Sequence, residues 1–498
     1  MTQLTMAPEV ANPAVLQSAI DHLRERSIGL PTLSQLANPA SIPAARLAAL
    51  ADVDPDRADA ANLWRVHWHN DASRRGLAAV PAYIEVPEAI TGVKARIVVA
   101  LGLRFPMIGA HKVLAAYGCL VPRLVTGRFD PRRQRAVWPS TGNYCRGGVA
   151  ISRILGCRGI AVLPEGMSRE RFDWLDRWVA DSTDIVRTPG TESNVKEIYD
   201  ECAVLAGEPN TVVLNQFAEF GNYLAHFSCT GTAMSRIFAD LQAAAPGLRL
   251  AGFVSATGSA GTIAAGDYLK ARHGSRIAAV EAVECPTMLR NGYGEHNIQG
   301  IGDKHVPLIH NVMNTDVVIG VSDRSCDALN LLFNSPLGLD YLARRQKLDT
   351  GLLTAMAGLG ISGWANVIGA IKLARHFGLG ADDVVLTVAT DSAAMYASER
   401  ERCARHRFPQ GFDEIHAGEV FGCHLQGIAD DHLIELSHAD RTRLFNLGYY
   451  TWVEQQGISI EDFDQRRDQA FWHGLQASIP AWDRLIEAFN ERTGVVLG

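Results

Sequence analysis

Short apolar runs alternate with amphipathic stretches through the middle of the chain. Each run has the length of a buried strand, and most are followed by a cluster of glycine, serine or asparagine. The segments between them, such as 147–155, 222–241 and 362–376, repeat apolar residues at helical spacing. Strands that alternate with crossover helices predict an α/β fold of open parallel sheets with flanking helices. The predicted strands are 95–101, 159–163, 211–214, 250–254, 277–283, 317–321 and 384–388.

The two ends of the chain lack this alternation. Residues 1–80 have helical and irregular patterns, which predict an N-terminal helical arm. After about residue 400 the pattern is mainly helical, so residues 401–498 are predicted to form a helical C-terminal extension. Trp452, Trp472 and Trp482 give this extension more aromatic surface than a solvated tail needs. We therefore expect it to pack over a functional cleft or at a subunit interface.

Composition narrows the class of protein. The 498 residues are 47% hydrophobic and 20% charged, as in an ordinary globular protein, and the formal net charge is -7. Because no global positive field exists, we expect no binding to nucleic acid or to an anionic membrane. The nine cysteines include no C-x-x-C pair, no apolar segment is long enough to span a bilayer, and the N-terminus does not resemble a signal peptide. These features predict a cytoplasmic protein.

Lys112 is the first candidate for chemistry. Of the seven lysines, it alone lies in an apolar, glycine-bounded run, residues 105–114. Burial disfavours the charged form of an amine, and the neutral form is the one that a Schiff-base lysine needs. The sequence therefore indicates that Lys112 is a reactive amine.

A glycine-rich turn follows the predicted strand 250–254. Its residues Gly258, Ser259, Ala260, Gly261 and Thr262 open a helix, so that successive backbone N–H groups and the helix N-terminus can converge on a phosphate. Tight packing of a strand on a helix would use the same small residues. The spacing is neither G-x-G-x-x-G nor the Walker pattern, which argues against dinucleotides and nucleoside triphosphates.

Two further polar turns complete the set. Residues 140–144, Ser-Thr-Gly-Asn-Tyr, precede a helix and offer hydroxyls and amides to a carboxylate, while the Asn143 amide can donate to a phenolate oxygen. Asp391 and Ser392 follow the last predicted strand. Each turn by itself is also an ordinary helix cap. Together with Lys112 and the glycine-rich turn, they match the four contacts that pyridoxal phosphate requires.

Other kinds of site find less support. His67, Trp68 and His69 include two metal-ligand types, but no third ligand stands at a recognisable spacing, and no metal site is predicted. The chain also lacks the G-x-S-x-G of a serine hydrolase.

The order of these motifs resembles the tryptophan-synthase-β-like superfamily of pyridoxal-phosphate enzymes, fold type II, and within it the cysteine synthase and cystathionine β-synthase group. The similarity extends over about residues 80–400. Residues 140–143 resemble the family's T-S-G-N, 258–262 its G-T-G-G-T, 298–302 its I-[QE]-G-I-G, and Asp391-Ser392 its D-S. Further resemblances are 164–171 to P-E-x-M-S-x-E-[RK], 226–231 to H-Y-x-T-T-G and 360–363 to G-I-S-S.

The resemblance implies a fold and a set of roles. It implies that residues 81–400 form a two-lobed catalytic region, with a small lobe of about 115–235 inserted in a large lobe. It also implies that Lys112 bonds to the cofactor and moves the α-proton, that Asn143 contacts the ring hydroxyl, and that Ser392 contacts the ring nitrogen. The implied phosphate-binding residues are Gly258, Ser259, Ala260, Gly261 and Thr262, and the implied substrate-binding residues are Ser140, Thr141, Gly142, Tyr144 and Gln216.

Two departures from the family pattern affect the substrate. The Ala-His-Lys before and at Lys112 is similar to the tryptophan synthase β subunit, but Ser140 stands where that subunit has its catalytic carboxylate, which argues against indole chemistry. Tyr144 stands where the cysteine synthase group often has threonine, and so places a large phenol near the substrate.

The implied reaction is β-elimination or β-replacement on an L-amino acid through an aminoacrylate, catalysed by a homodimer. Within the superfamily, a hydroxy-amino-acid dehydratase (an ammonia-lyase) or a racemase is the alternative. From another class, the chain would be a catalytically silent relative that binds a partner protein. The residues alone leave the leaving group and the nucleophile open.

Overall fold

The computed structural model describes residues 4–495. Two sheets organise this part of the chain, and both follow from the apolar runs. The strands are β1 (Tyr83–Val86), β2 (Arg96–Leu101), β3 (Arg135–Pro139), β4 (Arg158–Pro164), β5 (Ile185–Thr188), β6 (Thr211–Val213), β7 (Arg249–Ala256), β8 (Arg276–Ala282), β9 (Val317–Val321), β10 (Asp383–Ala389) and β11 (Leu433–Glu435).

The larger sheet has seven strands in the order β1, β2, β10, β7, β8, β9, β11. The five inner strands are parallel, and the two edge strands, β1 and β11, are antiparallel to their neighbours. Side chains alternate between the faces, so that Val98 and Ala100 of β2 join one core and Ile97 and Val99 join another. This arrangement explains why the inner strands are almost continuously apolar.

The smaller sheet has four parallel strands in the order β5, β4, β3, β6. It lies between β2 and β7 in the sequence, in the part of the chain where the resemblance implies the small lobe. The expected fold of two open sheets with flanking helices is confirmed.

Helices cover both sheets and form the two ends of the chain. Those of the N-terminal part are α1 (Pro13–Glu25), α2 (Leu33–Ala37) and α3 (Ala44–Leu50). The central helices are α4 (Glu88–Thr91), α5 (Lys112–Val125), α6 (Asn143–Leu155), α7 (Arg169–Trp178), α8 (Val195–Ala206), α9 (Phe220–Ala225), α10 (Gly231–Ala244), α11 (Ala264–His273), α12 (Thr287–Arg290), α13 (Asp323–Asn334), α14 (Pro336–Arg344), α15 (Thr350–Ala357), α16 (Ile361–His376) and α17 (Ala397–Arg407). The last are α18 (Glu414–Phe421), α19 (His438–Tyr449), α20 (Ile460–Gln465), α21 (Gln469–Ala477) and α22 (Ile479–Thr493).

The C-terminal extension differs from the purely helical segment that its pattern predicts. Its strand β11 pairs with β9 and closes the edge of the large sheet. Its last part forms three separate helices, α20, α21 and α22, because the Asp468 side chain caps the start of α21 and Pro480 lies in the first turn of α22. Among residues 4–495, no helix is both long and apolar enough to cross a bilayer.

The three tryptophans of the extension are buried within this chain. Trp472 packs against Tyr223 and Phe220, with ring centroids 4.9 and 5.9 Å apart. The Trp452 indole N–H donates to the carbonyl of Val306 at 2.8 Å, in the loop that follows the I-Q-G-I-G segment. The extension is thus part of the main core.

The two ends of the described chain are also bonded to each other. The Asn490 side chain accepts from the Leu30 N–H at 2.9 Å and donates to the Leu30 carbonyl at 2.8 Å. Asp483 accepts from the Leu33 N–H at 2.8 Å. The N-terminal arm and the C-terminal helices therefore form one layer over α5 and α9.

Candidate functional site

One cavity at the carboxyl ends of the strands brings most of the expected site residues together. Lys112 follows β2, residues 140–144 follow β3, the glycine-rich turn follows β7, and Thr390 follows β10. Loops after parallel strands meet at one edge of a sheet, which is where α/β proteins bind ligands. Every residue assigned by the sequence lines this cavity except Gly142 and Ser392.

Lys112 is the first residue of α5 and projects its amine into the cavity. Its Nζ donates to Gln216 Oε1 at 3.0 Å and to Ser259 Oγ at 2.9 Å. Burial lowers the pKa of this amine to about 8, against the smaller opposing effect of Asp303. A substantial fraction of Lys112 is therefore neutral near physiological pH, as a nucleophilic amine requires.

The glycine-rich turn lies too close to neighbouring parts of the chain to carry side chains at Gly258 and Gly261. A Cβ on Gly258 would lie 2.5 Å from the carbonyl oxygen of Gly300, and one on Gly261 would collide with the Asn222 side chain. Ala260 has a φ of 60°, a left-handed conformation that costs a residue with a side chain about 1–2 kcal/mol. The chain thus holds a strained, narrow turn here, which is common where a backbone surrounds a ligand.

Most backbone amides of this turn are free, within the described chain, to bind the phosphate of a cofactor. Within residues 4–495, the N–H groups of Gly258, Ser259, Ala260 and Thr262 donate to no acceptor of the protein. Unpaired amides at the start of a helix are a natural site for a phosphate dianion. The residues present therefore fit the phosphate of pyridoxal phosphate.

His111 supports this turn. One ring nitrogen, Nε2, lies 2.7 Å from Thr262 Oγ1, and the ring packs at a tilt against Trp68 and His226. Burial lowers the pKa of His111 to about 3, so the ring stays neutral. His111 thus fixes the position of Thr262 without adding a charge beside Lys112.

The turn at 140–143 begins α6. Ser140 Oγ accepts from the Gly142 N–H at 2.9 Å, and Gly142 has a φ of 149°. Gly142 lies outside the cavity lining because it packs directly on the Arg171 side chain, where a Cβ would collide. Ser140 and Thr141 face the cavity with Gln216.

Asn143 has two protein partners. Its Nδ2 donates to Asp391 Oδ2 at 2.6 Å, and its Oδ1 accepts from Arg146 at 2.9 Å. Asp391 also accepts from the Tyr396 hydroxyl at 2.6 Å. Asp391 therefore holds Asn143 at the cavity wall, while the expected contact of Asn143 with a ring hydroxyl stays a prediction.

Thr390 lines the cavity, whereas its neighbour Ser392 does not. Ser392 begins a 3-10 turn and pairs with Leu359 in an isolated β-bridge. Thr390, two residues earlier, lines the cavity, and its hydroxyl lies 2.8 Å from that of Ser362. Sequence reasoning passed over Thr390 because the family motif begins one residue later.

Tyr144 lines the cavity, but its hydroxyl is hydrogen-bonded to the backbone. The hydroxyl donates to the Leu214 carbonyl at 3.0 Å, and the ring packs edge-on against Trp138 at 5.4 Å. The Tyr144 hydroxyl, which the sequence predicts near the substrate, is therefore hydrogen-bonded to Leu214, directly after β6.

Two buried carboxyl groups beside the cavity were missed by sequence reasoning. Asp303 lines the cavity, and Glu192 interacts with the side chain of Thr141, which also lines it. Neither belongs to a quoted motif, although Asp303 directly follows the I-Q-G-I-G segment. Burial raises the pKa of Glu192 to about 7 and that of Asp303 well above its ordinary value.

A two-lobed α/β fold with a buried lysine and a phosphate turn at the strand ends defines a fold type II pyridoxal-phosphate enzyme. Residues 85–334, half of the chain, match the family model described as "Pyridoxal-phosphate dependent enzyme". The chain belongs to this family and is a pyridoxal-phosphate-dependent enzyme.

Individual relatives agree with this class. The chain is 31% identical over 256 residues to cysteine synthase B of Campylobacter jejuni, covering 50% of this chain and 75% of that protein. It is 27% identical over 348 residues to cystathionine beta-synthase of Saccharomyces cerevisiae, covering 66% and 62%. A solved structure of the hydrogen sulfide-producing enzyme Fn1055 of Fusobacterium nucleatum, a mutant complexed with an alpha-aminoacrylate intermediate, has a TM-score of 0.53 and 25% identity, over 64% of this chain and 87% of that one.

Proposed function

We propose that this enzyme expels the β-substituent of an L-amino acid by β-elimination, and that a nucleophile replaces it when one is present. The observation that carries the proposal is the partly neutral Lys112 amine, held in the same cavity as the unpaired amides of the glycine-rich turn. Cysteine synthase B, cystathionine beta-synthase and the hydrogen sulfide-producing enzyme support the same reaction class by their names.

Each site residue has a proposed role in this reaction. When bound, pyridoxal phosphate withdraws electrons from the α-carbon of the substrate. Lys112 would bond to the cofactor and, once released, remove the α-proton. Ser140, Thr141 and Gln216 would hold the substrate carboxylate, which orients the α-hydrogen toward Lys112. Loops that follow strands of the small sheet and of the large sheet line this cavity together.

A panel of substrates tests the proposal. With purified holoenzyme and no thiol, β-chloro-L-alanine is expected to give pyruvate, ammonia and chloride. With added sulfide or a thiol, the pyruvate yield is expected to fall while a sulfur amino acid forms. Product analysis by mass spectrometry and a coupled pyruvate assay measure both.

The other candidate functions give different results with the same panel. Inversion at the α-carbon with the β-substituent retained would indicate a racemase, and formation of 2-oxobutanoate from L-threonine as the main product would indicate a dehydratase. A protein that neither retains the cofactor nor changes any of these amino acids would be a silent partner-binding relative. The racemase and the silent-relative outcomes contradict β-elimination as the main activity. Dehydration of L-threonine is itself a β-elimination, so that outcome would contradict only the proposed replacement by a nucleophile.

The contact at the ring nitrogen is proposed to be a hydroxyl of Thr390 or Ser392. A hydroxyl leaves the ring unprotonated, which favours loss of the β-substituent over transamination. Because Thr390 lines the cavity, Thr390→Val is expected to weaken cofactor retention about 2- to 13-fold, equivalent to one hydrogen bond of about 0.5–1.5 kcal/mol. Ser392→Ala is expected to change it less. Titration of apoenzyme with pyridoxal phosphate measures both affinities. A larger loss of affinity in Ser392→Ala than in Thr390→Val would indicate that the ring nitrogen contacts Ser392 instead.

We also propose that the enzyme is a homodimer in the cytoplasm. The resemblance to the cysteine synthase group supports the dimer, and the nine unpaired cysteines support a reducing compartment. Light scattering of the purified protein tests the dimer, since a monomeric mass would contradict it.

A further inference from the structure

Asp303 is a buried carboxyl group at the wall of the cavity. Its side chain lines the cavity beside Lys112, and the residue is only 6% exposed. In the part of the chain that the structure describes, its carboxyl group makes no hydrogen bond, and Oδ2 is fully enclosed. A buried polar group without a hydrogen-bond partner is costly and calls for an explanation, and this one belongs to a residue that lines the cavity.

The surroundings of Asp303 favour its acid form. The charge of Glu192, another buried carboxyl group, disfavours ionisation of Asp303. Lys112 opposes this effect, but burial and Glu192 together raise the pKa of Asp303 well above its ordinary value. The other groups that interact with Asp303, Tyr199 and Cys285, have raised pKa values and are neutral.

The cavity therefore contains an acid and a base. Lys112 is an amine that readily accepts a proton, and Asp303 is a carboxyl group whose raised pKa favours the protonated form. Two titratable groups whose environments drive their proton affinities apart are typical of a paired general base and general acid. No sequence motif assigns this second role.

We propose that Asp303 is the general acid that protonates the departing β-substituent, and that the substrate is an L-amino acid with an unactivated β-hydroxyl or β-thiol. The proposal rests on the β-elimination proposed above. Chloride and carboxylates leave as stable anions, whereas hydroxide and hydrosulfide are poorer leaving groups that gain from protonation. A buried acid at the cavity wall is of use only to the second kind.

The protons and electrons of the step balance. Lys112 takes the α-proton, and the electron pair of the Cα–H bond becomes the second bond between Cα and Cβ. The electron pair of the bond from Cβ to oxygen or sulfur leaves with that atom, which takes the proton of Asp303 and departs as water or hydrogen sulfide. The ammonium of Lys112 then returns its proton to Asp303, so that no further reactant is needed.

The test compares two kinds of substrate in holoenzyme. For Asp303→Asn, the ratio of kcat/KM for L-serine or L-cysteine to kcat/KM for β-chloro-L-alanine is expected to fall by about 10²–10⁴-fold, the usual contribution of a general acid. Asn imitates the shape and neutrality of the acid form, so folding is preserved, and Asp303→Glu is expected to restore part of the ratio. In the wild type, turnover of the hydroxyl or thiol substrate is expected to fall as pH rises through the pKa of Asp303.

A matched control separates chemistry from structure. Asp327 is another largely buried carboxyl whose pKa is raised to about 7, and it lies outside the cavity. Asp327→Asn is therefore expected to leave the substrate ratio at the wild-type value. If Asp303→Asn lowered kcat/KM equally for both kinds of substrate, Asp303 would have only a structural role, and the proposal would be overturned.

Failure of the inference is distinct from failure of the proposed function. If the wild type consumes β-chloro-L-alanine but neither L-serine nor L-cysteine, β-elimination stands and the assignment of Asp303 falls. If the wild type consumes none of the three, both fall.

Discussion

Replacing Lys112 by alanine is expected to reduce turnover by about 10⁴-fold, the upper end of the effect of a positioned proton-transfer group. The same side chain is proposed to bond to the cofactor and to move the α-proton, so its loss removes both steps. Lys112→Ala is nevertheless expected to bind pyridoxal phosphate weakly, because the unpaired amides of the glycine-rich turn remain. Steady-state assay with β-chloro-L-alanine and equilibrium dialysis with the cofactor measure the two effects.

Peptide mapping identifies the lysine directly. After borohydride reduction of the wild type, the pyridoxyl group is expected on the peptide that contains Lys112. Lys196→Ala is the matched control, because Lys196 is an exposed surface lysine paired with Asp200. A pyridoxyl group on any other lysine, or full activity in Lys112→Ala, would contradict the assignment.

Trp472→Ala is expected to lower the free energy of unfolding by about 3–5 kcal/mol, the usual range for loss of a buried aromatic side chain. Trp472 is fully buried, packs on Tyr223 and Phe220, and donates to the Arg466 carbonyl at 2.9 Å. Truncation after about residue 430 removes this contact together with β11, and is expected to cause aggregation. Urea denaturation and light scattering measure these effects.

An exposed aromatic in the same extension provides the comparison. Tyr450 is 63% exposed, and Tyr450→Ala is expected to change the stability by no more than about 0.5 kcal/mol. A Trp472→Ala variant as stable as the wild type, or a fully active truncation, would show that the extension is dispensable.

The inner strands of both sheets were largely predictable, because burial on both faces leaves a continuous apolar run. The predicted strand 317–321 has the bounds of β9, and 384–388 lies within β10. The edge strands β1, β5 and β11 were missed, since one partner and partial exposure leave little apolar signal. The strand β3 was missed as well, because its short apolar centre, Ala136 to Trp138, follows a basic run and ends at a proline.

The candidate site was predictable where its chemistry comes from a local sequence. The phosphate turn needs consecutive small residues, and these stand out in the sequence. Asp303 and Glu192 are 111 residues apart in number, and each has an ordinary sequence setting. The effect of Glu192 on the pKa of Asp303 arises only in the folded chain, so no local pattern predicts it.

The bonds between Leu30 and Asn490 join residues 460 positions apart, and so impose an order of assembly. During synthesis on the ribosome, the first helices are made long before the helix that receives them. Their apolar faces must meanwhile stay in contact with water or with a chaperone. Contacts over such sequence distances also slow folding, because a large loop has to close before they form. Slow translation at low temperature, with chaperones present, is therefore the condition under which we expect the highest yield of native enzyme.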